Sequence, residues 1–147
     1  VLIGLQPRGI YLSDRLFKEL QQILPDTQLH VGKLDITFYR DDFRRRDNPI
    51  AANKTEMDFI IENKNVVLID DVFYTGRSLR AGLAAMLAFG RPRKVEMLAL
   101  IERKYSRQFP LQPDYIGKSV DSLSSQRVDV FWKESSQNDM VKLFTIQ

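Results

Sequence analysis

The stretch Val66-Val67-Leu68-Ile69-Asp70-Asp71-Val72-Phe73-Tyr74-Thr75-Gly76-Arg77-Ser78 constrains this chain more than any other. Consecutive aliphatic residues, two acids, a bend and a Thr-Gly-Arg-Ser opening of a helical pattern read as a buried strand, an acidic strand end and a tight turn into a helix. Strand alternation puts Asp70 and Asp71 on opposite faces, so both can serve one site only where the chain is already leaving the pleat. Adjacent carboxylates repel each other and are expensive to bury. A metal ion, a cation or the hydroxyls of a sugar must compensate them. Thr75, Gly76 and Ser78 add small side chains, hydroxyls and free backbone N–H groups where the helix begins. A helix N-terminus carries roughly half a positive charge together with unpaired donors, which suits a phosphate group without a lysine. An acid pair for a sugar beside an amide nest for a phosphate describes a ribose 5-phosphate.

The rest of the chain supplies a frame for that stretch. Val1-Leu2-Ile3-Gly4-Leu5 reads as a short strand, Pro7-Arg8-Gly9 as a turn, and Leu12, Leu16, Leu20 and Ile23 as the apolar face of a helix that ends near Pro25. The Gln6-Pro7 bond is open to a cis form. A second strand is predicted over about residues 33–39, where Leu34, Ile36 and Phe38 alternate with Asp35, Thr37 and Tyr39. His30, just ahead of it, carries no assignable role. Residues 40–64 are charged and without periodicity, which marks either a disordered connection or a working lid. Leu79, Leu83, Met86 and Leu87 predict the sheet-facing side of a helix stopped by Gly90-Arg91-Pro92, and residues 95–101 a strand covered on both faces. Over residues 102–126, Pro110, Pro113 and Gly117 read as an irregular hood, with further short strands at about 127–131 and 141–146. This order predicts an α/β fold in one domain over residues 1–147, with a central parallel sheet flanked by helices on both faces. Ligands of such sheets bind outside the carboxyl ends of the strands, where Arg8, Arg40, Asp70 and Arg103 all fall.

The central stretch resembles the phosphoribosyl pyrophosphate signature of type I phosphoribosyltransferases. Gln6-Pro7-Arg8-Gly9-Ile10-Tyr11-Leu12, Leu34-Asp35-Ile36-Thr37-Phe38-Tyr39-Arg40-Asp41-Asp42 and Pro113-Asp114-Tyr115-Ile116-Gly117-Lys118 narrow the resemblance to the pyrimidine operon attenuation regulators, which are also uracil phosphoribosyltransferases. The resemblance implies that Asp70 and Asp71 hold the ribose hydroxyls and that Tyr74, Thr75, Gly76, Arg77 and Ser78 hold the 5-phosphate. It also implies that Pro7, Arg8 and Gly9 cradle the leaving pyrophosphate. Residues 40–64 become a catalytic flexible loop, with Arg40 and one of Arg44, Arg45 or Arg46 brought onto the pyrophosphate. Arg103 and Val128 are implied to touch the nucleotide. Asp70, Asp71 and Arg40 are thus the catalytic candidates. Mg²⁺ is the implied cofactor, carried by phosphoribosyl pyrophosphate near Asp70 and Asp71, with no metal ligated directly by side chains. The implied partners are phosphoribosyl pyrophosphate, a pyrimidine base or nucleotide, a second copy of the chain in a homodimer or higher oligomer, and RNA as an alternative.

Composition narrows the alternatives. There are 22 basic and 19 acidic residues for a formal net charge of +3, which permits contact with a polyanion without demanding it. Arg91, Arg93, Lys94, Arg103, Lys104 and Arg107 form a basic run that would suit RNA phosphates. The absence of cysteine excludes disulfides and thiolate metal sites and suits a cytoplasmic protein. No apolar run approaches the roughly 20 residues of a membrane span. The hood departs from the regulators' pattern, with Glu102-Arg103-Lys104-Tyr105-Ser106 where they tend to show Asp-Arg-Gly-His. A phospho-accepting receiver domain would instead place its acids on separate strands, with a late lysine at a strand end.

Overall fold

The computed structural model describes residues 1–42 and 52–146. The elements are β1 (Leu2–Leu5), α1 (Gly9–Ile23), β2 (Val31–Leu34), β3 (Asn65–Phe73), α2 (Arg77–Met86), β4 (Lys94–Arg103), β5 (Tyr115–Val120), β6 (Gln126–Phe131) and β7 (Met140–Thr145). Single 3₁₀ turns occupy Thr37–Tyr39 and Leu87–Phe89. Strands β1 to β5 form one parallel sheet in the order β2-β1-β3-β4-β5. Strands β6 and β7 make a separate antiparallel hairpin. The run Val66–Ile69 lies at the centre of the sheet, where β3 has a neighbour on each side and cover on both faces.

Each face of the sheet has its own core. On one face Leu79, Ala81, Ala85 and Met86 of α2 pack on Ile3, Leu5, Leu34, Leu68, Met97 and Ala99. On the other, Leu12 of α1 and Val128, Val130 and Trp132 of the hairpin pack on Leu2, Ile69 and Ile101. A fully buried aliphatic side chain contributes about 1.5–3 kcal/mol, so these two layers hold the strand ends in fixed register. The hairpin is also tied down electrostatically. Arg15 of α1 reaches Glu134 at 2.6 Å and Asp139 at 2.7 Å and lies over the Trp132 ring.

The structure corrects several sequence-based expectations. The predicted second strand stops at Leu34 instead of continuing to Tyr39. There the Asp35 carboxylate accepts hydrogen bonds from the Thr37 hydroxyl at 2.7 Å and the Thr37 N–H at 3.4 Å, a local pairing that competes with the strand ladder. Residues 115–120, placed in the hood, are instead the fifth strand of the main sheet, with Leu98 opposite Tyr115. The hood is the β6–β7 hairpin and the turn that leads into it. Within the expected loop 40–64, Glu56 bridges to Lys33 and Ile61 is fully buried, so this stretch is partly built into the domain edge. Arg44, Arg45 and Arg46 lie outside the described residues. Leu87, in the 3₁₀ turn after α2, and Ile23, the last residue of α1, are exposed. Strand β4 buries Met97, Ala99 and Ile101 fully, but leaves Leu98 and Leu100 half-buried beside the open β5 edge. The Gln6–Pro7 peptide is cis. Among the described residues, no helix is long and apolar enough to cross a membrane.

Candidate active site

Two helix N-termini converge on the rim formed by the carboxyl ends of β1 and β3. Neither has a side-chain cap on its first turn from its N-cap residue, Arg8 for α1 and Gly76 for α2. Uncapped N–H groups and the helix dipole give this rim a positive character suited to phosphate oxygens. Gly9 lets α1 start hard against β3: a Cβ there would lie 2.1 Å from the Ile69 carbonyl oxygen. Gly76 has φ +91°, a left-handed conformation that the turn into α2 requires.

Between these helices stand the acids. The sequence reading expected the chain to be leaving the pleat at the acids, but both remain within β3, which continues to Phe73, so alternation sends them to two sides of one strand end. Asp70 lines an open pocket of about 130 Å³ together with Arg40 and residues 72–79. Asp71 turns toward Arg8, whose guanidinium lies 4.0 Å away and also 3.7 Å from Asp129 on β6. The Asp71 N–H donates to Asp70 Oδ1 at 2.9 Å, and the Val72 N–H to Asp71 Oδ1 at 2.7 Å. Asp71 Oδ2 is buried and accepts no hydrogen bond among the described residues. Burial, and then the charge of Asp71, push the Asp70 carboxyl well above its ordinary value. Burial also raises Asp71, against the opposing pull of its hydrogen bonds and of Arg8. Two adjacent carboxyls raised by burial, one with an oxygen that accepts no hydrogen bond among the described residues, mark this strand end as a candidate site.

The other candidates fall as follows. Arg40 is held in a fork by Asp42 at 2.9 and 3.0 Å and faces the charge of Asp70. Arg77 pairs with Asp41 and with Gln108. The Thr75 hydroxyl accepts from the Arg77 N–H at 3.3 Å. Pro7 and Arg8 lead directly into α1, which begins at Gly9; none of the three lines the pocket that holds Asp70. Arg103 is buried and donates to Ser122 Oγ at 2.8 Å, the Leu123 carbonyl at 3.1 Å and the Gln126 carbonyl at 2.5 Å, with its guanidinium 3.7 Å from the Tyr74 ring centroid. It therefore braces the hood against the turn that begins at Tyr74. The Val128 side chain is buried in the core beside Leu2, Ile69 and Trp132, so contact with a base from this position would have to use its main chain. The basic run is divided by the ten residues of β4, which separate Arg91, Arg93 and Lys94 from Arg103, Lys104 and Arg107 by about 30 Å. Sequence reasoning placed Arg107 only in the basic run suited to RNA phosphates and gave no role to Asp129. Arg107 meets Tyr74 and Asp129 meets Arg8 only across long stretches of sequence, so no local pattern points to these two contacts, although Asp129 also pairs with its neighbour Arg127 at 2.7 Å.

The parallel sheet brings the acidic strand end and the uncapped turn into α2 together at one rim, the architecture of a phosphoribosyltransferase fold. A family profile described as the phosphoribosyl transferase domain matches residues 1–135, and the chain belongs to that family. Over most of its length it is similar to proteins named Bifunctional protein PyrR. One from Limosilactobacillus fermentum is 39% identical over 145 residues, covering 97% of this chain and 80% of that protein. One from Bacillus subtilis is 38% identical over 147 residues, covering 98% and 80%. Among solved structures, a hypoxanthine phosphoribosyltransferase from Staphylococcus aureus superposes with a TM-score of 0.61 at 20% identity, over 83% of this chain and 62% of that one. A purine phosphoribosyltransferase from Pyrococcus horikoshii gives 0.57 at 21% identity, over 81% and 69%. At these identities the structures report the shared fold.

Proposed function

We propose that the chain transfers phosphoribose from phosphoribosyl pyrophosphate to uracil, giving uridine monophosphate and pyrophosphate. The observation that supports this reading is the buried Asp71 Oδ2, which faces Arg8 at 4.0 Å but accepts no hydrogen bond among the described residues, on the same rim as the uncapped start of α2. Asp70 and Asp71 accept hydrogen bonds from the ribose hydroxyls. Their charge favours the oxocarbenium character that develops as the bond from the anomeric carbon to pyrophosphate breaks. Nitrogen of the base then bonds to that carbon, and its proton leaves to solvent. The turn at Tyr74, Thr75, Gly76, Arg77 and Ser78 holds the 5-phosphate, while Pro7, Arg8, Gly9 and Arg40 receive the departing pyrophosphate. No group of three or more metal-binding side chains is gathered among the described residues. The hard oxygen donors of Asp70 and Asp71 suit Mg²⁺ carried on the substrate, which would supply charge neutralisation for pyrophosphate.

Uracil as the acceptor rests on the similarity to the bifunctional relatives. The test is product analysis of purified protein with Mg²⁺, phosphoribosyl pyrophosphate and, separately, uracil, hypoxanthine, guanine and orotate. Uridine monophosphate from uracil alone is the expected result. Tight binding of phosphoribosyl pyrophosphate with no turnover on any base would replace this reading with that of a nucleotide sensor.

A second activity, RNA binding in gene regulation, is suggested by the relatives' description as bifunctional. The exposed Lys64, Arg91, Arg93 and Lys94 share the amino-terminal pole of β3 and β4. Specific RNA binding should persist at moderate salt and respond to nucleotide. Affinity that only fades steeply with salt, whatever the nucleotide, would leave non-specific attraction.

A further inference from the structure

The turn between β3 and α2 has its carbonyl groups engaged from outside the pocket. The Tyr74 carbonyl accepts from Arg107 Nη1 at 2.8 Å. The Thr75 carbonyl accepts from the backbone N–H groups of Gln108 and Phe109 at 2.9 and 3.2 Å. In a trans peptide, the C=O of one residue and the N–H of the next point in opposite directions. Holding the Tyr74 and Thr75 carbonyls on the side of residues 107–109 therefore turns the Thr75 and Gly76 N–H groups the other way, into the pocket. Those two N–H groups donate to nothing among the described residues. The pocket is lined by Arg40, Asp70 and residues 72–79, and Arg107 is not part of its wall.

Arg107 is itself held firmly. Its Nη2 donates to Glu102 Oε1 at 2.8 Å, and the other carboxylate oxygen of Glu102 accepts from Ser119 Oγ at 2.7 Å. The guanidinium lies 4.3 Å from the Phe73 ring centroid. Next to it, Gln108 accepts from Arg77 Nε at 2.7 Å, and a Cβ on Gly76 would meet Phe109 Cβ at 3.3 Å. The segment after β4 thus forms the outer mould of the phosphate turn, and Arg107 locks it to the strand ends. A planar fork that serves a carbonyl and a carboxylate at once is not reproduced by an ammonium group.

We infer that Arg107 is a positioning residue for the 5-phosphate: it pins the Tyr74 carbonyl so that the Thr75 and Gly76 amides face the ligand, and it does not touch the ligand itself. This deepens the proposed phosphoribosyl transfer and rests on it. The test compares the intact chain with Arg107→Met, Arg107→Lys and Glu102→Gln. Calorimetric binding of ribose 5-phosphate, phosphoribosyl pyrophosphate and inorganic pyrophosphate, each with Mg²⁺, is measured beside steady-state kinetics and Tm.

Loss of a charge-assisted hydrogen bond should weaken ribose 5-phosphate and phosphoribosyl pyrophosphate by about 10- to 100-fold in Arg107→Met. KM for phosphoribosyl pyrophosphate should rise by a similar factor, while kcat stays within about threefold and pyrophosphate binding is unchanged. Arg107→Lys should recover part of the loss. Glu102→Gln, which keeps the guanidinium and loosens it, should show a smaller loss on the same two ligands. Should Arg107→Met fail to fold, Glu102→Gln alone decides by whether it discriminates between ribose 5-phosphate and pyrophosphate. Equal losses for all three ligands, or none, would overturn the assignment of Arg107. A wild-type chain that binds neither ribose ligand overturns the functional reading, and this assignment with it.

Discussion

Replacing Asp71 with Asn is expected to lower kcat by about 10²- to 10³-fold, the loss typical of removing one preorganised electrostatic contact to a transition state. The free protein should keep its fold and, at neutral pH, melt at the same temperature or higher. The two effects part because Asp71 is a burden to the unliganded chain. Its Oδ2 is buried without a hydrogen-bond partner, and Arg8, its nearest cation at 4.0 Å, is half exposed and so screened by water. Burial raises its carboxyl above the ordinary value, which fixes the sign of the pH dependence. A carboxyl whose folded pKa lies above its unfolded value costs nothing below about pH 4, where both states hold the proton. The penalty builds as pH rises above the unfolded value and is complete once pH has passed the folded value. Wild type should therefore lose stability relative to Asp71→Asn between about pH 4 and neutrality, a gap measurable by thermal melts at a series of pH values. Near wild-type turnover would remove Asp71 from the chemistry. A large fall in Tm at neutral pH would make it a structural ion pair.

Gly9→Ala should be among the most destabilising single methyl additions in the chain. The new Cβ would stand 2.1 Å from the Ile69 carbonyl oxygen, 3.0 Å from its carbon and 3.1 Å from Asp70 Cα, all of them main-chain atoms of the central strand. No flexible side chain can give way, so either α1 lifts from the sheet or β3 shifts at the acids. Overpacking of this kind costs about 3 kcal/mol or more, and in a chain of this size it lowers Tm by roughly 6–12 °C. The same displacement should weaken phosphoribosyl pyrophosphate binding, because Arg8 leads into α1 and β3 carries Asp70. An unchanged melting temperature would show that the close approach of α1 to β3 is absent in solution.

The central motif was legible because its parts lie side by side in the chain. Strand, acids, turn and helix occupy residues 65–86 without interruption, and their chemistry follows from residue type and local periodicity. The parallel sheet was legible for a related reason, since strands separated by helices allow few other connections. Strand β5 was not. It is an edge strand with almost every residue exposed, so no apolar alternation marks it, and its place is set only by pairing with β4. The early end of β2 was hidden because Leu34, Ile36 and Phe38 continue a strand pattern past the point where the Asp35 side chain captures Thr37. Arg103 and Arg107 look alike in sequence, as two members of one basic run. In the fold one braces the hood on Tyr74 and the other pins the Tyr74 carbonyl.

What the sequence determined by itself was the chemistry of one stretch: an acid pair, a phosphate-sized turn, and the strand and helix on either side. Hydrophobic periodicity, turn residues and charge act over a few positions, and they can be read there. Which groups complete the site was decided by the tertiary structure alone. Arg8 reaches Asp71 and Asp129, and residues 107–109 hold the carbonyl groups of Tyr74 and Thr75. These contacts join parts of the chain tens of residues apart. They exist only because burial on both faces of the sheet fixes where each strand ends.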